Sequence, residues 1–111
     1  MNNENIDFFN RLDIRVGIIV NAEVFKEARK PAYKLTIYFG DEIGLKKSSA
    51  QITNYEINDL IDRKCIAVIN LGNRQIGPFI SECLVLGSLD SNNKVLLLDA
   101  ATQAKPGDKI A

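Results

Sequence analysis

The 111-residue chain contains no histidine. That absence removes the commonest general base, the usual catalytic triads and the commonest zinc ligand. Its seven glycines are scattered, and none stands directly before a Lys-Ser or Lys-Thr pair as a phosphate-cradling loop requires. Cysteine is scarce: Cys65 and Cys83 lie in apolar strand-like runs without metal-ligand spacing, which favours reduced core thiols over a staple or a zinc site. These gaps point away from catalysis, and the chain is read as a non-enzyme with no cofactor and no metal.

Excess charge is missing too. Fourteen basic residues balance fourteen acidic ones, so no whole-molecule field draws the protein to nucleic acid or an anionic membrane, and polyanion binding must rest on local patches. No apolar run approaches the roughly 20 residues of a membrane span. Residues 1–10 carry acids but neither a basic n-region nor an apolar h-region. The expectation is a cytoplasmic protein without membrane insertion. Its length suits one domain, 1–111, small enough for a partner subunit to help bury apolar surface.

What is present is a period of two. Ile14, Val16, Ile18, Val20, Ala22 and Val24 alternate with Arg15, Gly17, Ile19, Asn21 and Glu23, the pattern of one long strand with a half-buried face. Gly17 marks a bend, since an interior glycine costs stability unless the chain bulges or curls there, and curling closes a small sheet into a barrel. "YKLTIYFG" sets Tyr33, Leu35, Ile37 and Phe39 on one face of a second strand, residues 40–44 supply a turn, and "LKKSSAQIT" reads as an unusually polar third strand. "NYEINDLIDRK" changes period, with Ile57, Leu60 and Ile61 at helical spacing and Asp59 near the start to offset the helix dipole. "CIAVINL", residues 79–86 and "KVLLLDA" return to strand, and "KPGDKI" closes the chain with a turn. This order predicts an all-β fold: a five-stranded Greek-key barrel of the oligonucleotide/oligosaccharide-binding (OB) kind, with a short helix between strands 3 and 4 and small terminal extensions.

Within residues 79–86 one strand face carries Phe79, Ser81, Cys83 and Val85, the other Ile80, Glu82, Leu84 and Leu86. Ser81 and Glu82 are misfits in that apolar run. Near the barrel mouth, Glu82 is expected to reach water or to pair with Arg74 across the loop while Leu84 and Leu86 go deeper. Lys47, Ser49, Gln51 and Thr53 share a face with no apolar member, a row of donors and acceptors suited to the backbone of an extended peptide. The plainer reading of that row is a solvated barrel exterior.

"FFNRLDIRVGIIVNAEVFKEARKPAYKLTIYFG" followed by "IGLKKSSAQIT" resembles the CsaA family of bacterial chaperones linked to protein export, part of the tRNA-binding-domain superfamily. "LDIRVG" is shared across the superfamily, whereas "EARKPAYKL" and "KKSSAQIT" are the CsaA-like segments. The resemblance covers nearly the whole chain. It implies a homodimer joined through terminal segments that binds unfolded or signal-bearing polypeptides without ATP, with preproteins and the export machinery as partners. The apolar residues Phe8, Phe9 and Leu12, in a segment expected to form one helical turn, and Val95 and Leu97 are the candidate dimer surface.

Members of that superfamily that bind tRNA tightly carry, after an asparagine, a loop with an arginine, a lysine, a methionine, a second arginine and a glycine, then a serine. Asn70, Arg74 and Ser81 fit this pattern, but Gln75, Ile76, Gly77 and Pro78 replace the middle. Two cations and their phosphate contacts are thereby lost, which lowers affinity for tRNA. Weak, salt-sensitive tRNA binding through Lys26, Arg29, Lys30, Lys46 and Lys47 is the second expectation. The candidate peptide or RNA site comprises Arg29, Lys30, Lys46, Lys47, Ser49, Gln51, Asn70, Arg74, Gln75, Ser81 and Glu82.

Overall fold

A computed structural model describes residues 1–111. The chain opens on helix α1 (Asn3–Arg11), which begins where Asn2 Oδ1 accepts from the N–H groups of Glu4 (2.9 Å) and Asn5 (3.2 Å). With this cap the segment forms nine helical residues rather than one turn, and none of them is buried. The strands that follow are β1 (Ile14–Val24), β2 (Tyr33–Tyr38), β3 (Leu45–Ala50) and β4 (Lys64–Val68), with helical turns α2 (Gly40–Ile43) and α3 (Ile57–Leu60) between them. Short pieces complete the chain: β5 (Arg74–Ile76), β6 (Phe79–Ser81), β7 (Leu84–Val85), β8 (Gly87–Leu89) and β9 (Val95–Leu97). No helix is long and apolar enough to cross a membrane.

The main sheet runs β3-β2-β1-β4-β7 with antiparallel neighbours. It curls into a nearly closed five-stranded barrel of the expected OB kind, while β5–β6 and β8–β9 form separate two-stranded ribbons. Ile19, Leu35, Ile37, Phe39, Ile52, Leu60 and Cys65 fill its interior almost without exposure. Both thiols are buried and free. Burial pushes Cys65 up to about 12 and Cys83 up to about 11, so both stay protonated in neutral solution.

The long first strand does not keep one face inward. Its register to β2 shifts between Ile19 and Asn21, which makes Val20 the extra residue of a bulge. After the bulge Ala22 enters the core cluster that Ile19 enters before it. Ile14 and Val16 pack on the opposite side of the sheet, in a second cluster with Ile66 and Val68. The C-terminal segment covers that cluster: Ile110 N donates to Ile14 O (2.9 Å), Val16 N to Asp108 O (2.9 Å) and Gly107 N to Val16 O (2.8 Å). "KPGDKI" is therefore a strap along the β1 edge that β2 leaves free, not a terminal turn alone.

Gly17 is not the bend. It points into the barrel, where an added Cβ would stand 2.5 Å from Ile37 Cγ2 and 2.8 Å from Phe39 Cε1. The glycine serves close packing; the bulge supplies the curvature. Gly17→Ala should lower the unfolding free energy by about 1–3 kcal/mol through overpacking. Urea denaturation with an unchanged midpoint would show that the interior has room for a methyl group.

Candidate functional site

The sequence misfit at Ser81 and Glu82 resolves into the seam of the barrel. Residues 79–86 do not form one strand, because the chain leaves the β5–β6 ribbon at Ser81 and enters the barrel at Leu84. The residues between bond to β3. Lys47 N donates to Glu82 Oε1 (2.9 Å), and Glu82 N donates to Lys47 O (2.7 Å). Ser49 N donates to Ser81 Oγ (3.1 Å), and the fully buried Ser48 Oγ donates to Cys83 O (2.8 Å). Side chains here replace half of a strand ladder, and they satisfy β3 amides that would otherwise be unpaired. Glu82 thus makes no pair with Arg74. Leu84 does not go deeper either; it is 49% exposed on the outer face beside Val68.

Beside the seam lies a cleft of about 550 Å³. One wall is the β1–β2 loop with Glu27, Ala28, Arg29 and Lys30, the floor is Ser49 and Gln51, and the other wall is Arg74, Gln75, Ile76 and Gly77. The loop is gathered by Phe25, whose N–H donates to Ala32 O (3.0 Å) and whose ring is buried. The ring of Phe79 meets Phe25 edge-on at 5.3 Å between centroids, which pins the β5–β6 ribbon over the loop. Two residues, Gly77 with φ 58° and Pro78, turn the ribbon, a placement that suits a glycine-first hairpin turn. A second groove of about 450 Å³, lined by Lys30, Gln51, Thr53 and Lys94 among others, shares Lys30 and Gln51 with the first.

The ion pairs of the chain are Arg15–Asp13 and Arg63–Asp99. Arg29, Lys30 and Arg74 therefore have no carboxylate within 4.0 Å, and with Glu27 they give the cleft three cations against one carboxylate. Such a surface can donate to phosphates, carboxylates or peptide carbonyls. It contains no nucleophile held by a base.

Six of the residues singled out from the sequence meet in this cleft: Arg29, Lys30, Ser49, Gln51, Arg74 and Gln75. Lys47 lies on the outer face of β3 outside it, and Lys46 is half-buried on the side of β3 that carries Ser48. Ser81 and Glu82 belong to the seam. Asn70 is elsewhere: its Oδ1 accepts from Asp13 N (2.8 Å) and its Nδ2 donates to Arg11 O (2.7 Å), tying the end of α1 to the end of β4. Leu97 is buried in the main core and Val95 packs against it, so the exposed apolar residues here are Leu96 within β9 and Leu98 just past its end. Sequence reading missed the Phe25–Phe79 contact and the wall residues Ile76 and Gly77. The Gly77-Pro78 dipeptide was the available signal, since such pairs punctuate turns.

Residues 14–109 match the family described as "Putative tRNA binding domain", and the chain belongs to that family. Within it the likeness is to the CsaA type. The CsaA chaperone protein of Picrophilus torridus is 56% identical with a TM-score of 0.91, each chain covering 100% of the other. Chaperone CsaA of Bacillus anthracis str. Ames is 44% identical with a TM-score of 0.90, covering 100% of this chain and 99% of its own. Methionine–tRNA ligase of Neisseria meningitidis serogroup B is 32% identical over 107 residues, 96% of this chain and 16% of the ligase. The chain thus spans only a small part of the curated ligases it matches.

The seam and the cleft separate by mutation. Ser81→Ala leaves Ser49 N–H without its acceptor and should cost about 1 kcal/mol of stability. Arg74→Ala, on an exposed ribbon, should stay within about 0.5 kcal/mol of wild type. Equal melting temperatures for the two variants would remove Ser81 from the seam.

Proposed function

We propose that the chain is a non-enzymatic chaperone that holds unfolded or signal-bearing polypeptide segments for export. In this reading it is one cytoplasmic domain, 1–111, working as a homodimer without ATP, with preproteins and the export machinery as partners. The observation that carries the reading is the cleft, where Arg29, Lys30, Ser49, Gln51, Arg74 and Gln75 offer side-chain donors and acceptors without competing ion pairs. An extended backbone presents matching C=O and N–H groups at every residue. The 56% identity to a protein named as a CsaA chaperone supports it.

A second reading is tRNA binding, favoured by the family match and by the free cations. It is weakened at Gln75 and Gly77, which stand where tight tRNA binders are expected to carry lysine and arginine. Salt distinguishes the two, because each phosphate neutralised releases counterions and steepens the dependence. Binding of a reduced, unfolded polypeptide should change little between about 50 and 200 mM salt, whereas tRNA binding should fall by orders of magnitude. Binding of bulk tRNA without any affinity for unfolded polypeptide would overturn the chaperone reading.

The homodimer rests on apolar surface. Phe8 is 50% and Phe9 40% exposed on α1, and Leu96 and Leu98 are also open. A groove lined by Phe9, Leu12 and Ile110 separates α1 from the C-terminal strap. Pairing two copies through this end would cover it and leave one cleft on each subunit, which raises avidity for long chains. Sedimentation should give a dimer at micromolar concentration, and Phe8→Asp combined with Phe9→Asp should give a monomer. A wild-type monomer would end this part of the proposal.

A further inference from the structure

The wall of the cleft made by Arg74, Gln75, Ile76 and Gly77 is a strand edge. In the β5–β6 ribbon Ile76 faces Phe79 across a two-residue turn, Gln75 faces Ile80 and Arg74 faces Ser81. A two-residue hairpin makes the pair next to its turn the one that exchanges hydrogen bonds, and bonding then alternates along the ladder. Gln75 therefore directs its N–H and C=O away from β6. No backbone bond outside the ribbon receives them, and Gln75 is exposed. Residues 74–77 line the cleft and no residue of β6 does, so β5 is the strand whose free edge borders it.

We propose that an extended polypeptide segment enters the cleft as a third strand on β5, bonded to the N–H and C=O of Gln75, with a carboxylate of the segment set against Arg29, Lys30 or Arg74. This rests on the reading of the cleft as a polypeptide site. Adding a strand to an exposed edge takes its affinity from main-chain bonds, which every sequence can make. Here the edge offers one residue's pair of bonds, so each engagement is weak and tolerant of sequence. Charge complementarity selects among segments: three cations against one carboxylate favour acidic over basic ones. Ser49 and Gln51 on the floor meet whatever side chains point downward.

The discriminating substitution exploits proline. A proline lacks the amide hydrogen but is accepted on an edge strand where that hydrogen faced solvent. The probe is a short fluorescein-labelled peptide alternating threonine and valine around a central glutamate, with a second version N-methylated at alternate residues. Because both variants lack the amide side chain, comparing Gln75→Pro with Gln75→Ala isolates the backbone: fluorescence anisotropy should show Gln75→Pro binding about tenfold more weakly than Gln75→Ala, the size of one hydrogen bond left unmade. The methylated peptide should lose a similar factor on the wild-type protein, a comparison that holds even where the proline variant fails to fold. Equal affinities of Gln75→Pro and Gln75→Ala, or equal binding of the two peptides, would overturn strand addition and leave the chaperone reading intact. Wild-type protein that binds tRNA but neither peptide nor any unfolded chain would overturn both.

Discussion

The closure of the barrel depends on one unusual junction, where β3 meets the segment 81–83 through side chains rather than through a regular ladder. Lys47 and Glu82 exchange two hydrogen bonds, each donated by a backbone amide, one to the Glu82 carboxylate and one to the Lys47 carbonyl, and Ser48 and Ser81 complete the contact. The polar sequence of the third strand follows from this role. A serine that is fully buried is tolerable because its hydroxyl has a carbonyl to bond. The same strand then turns its other face, with Ser49 and the following Gln51 just past its end, to the cleft, so barrel closure also fixes the height of the cleft floor.

The fold class was legible because period two dominates the chain, and Tyr33, Leu35 and Ile37 of β2, with Phe39 just past its end, are buried as their alternation required. The bulge at Val20 was not. In "GIIV" the three residues before it are apolar or glycine, so nothing in the pattern leading into the bulge marks where the inward face changes. Across residues 16–19 both sheet faces are apolar, Val16 in the cluster under the strap and Gly17 and Ile19 toward the barrel interior, and an apolar run buried on both sides has no alternation to show. Gly17 misled because a glycine inside a strand has two physical uses, bending and close approach, and only its tertiary neighbours, Ile37 and Phe39, separate them.

The site was partly legible for the same reason. Exposed cations and amides, Arg29 and Lys30 on the β1–β2 loop and Arg74 and Gln75 on β5, came together in one cleft. Ser81, Glu82 and Asn70 are polar residues that close structure instead. Their partners lie far along the chain, 35 residues away for Glu82 and 57 for Asn70, beyond what local pattern can reveal. A polar misfit in an apolar run marks a required bond; whether to a ligand or to the chain's own backbone depends on distant sequence.

The ribbon of β5 and β6 stands outside the five-stranded ladder, held down by the edge-on contact of Phe79 with Phe25. Its tip, residues 74–78, has no role in filling the main core. The tip can therefore be rewritten from one homologue to the next at little cost to folding, as an interchangeable cassette. Such modularity lets one barrel carry differently worded ribbon tips over an unchanged core.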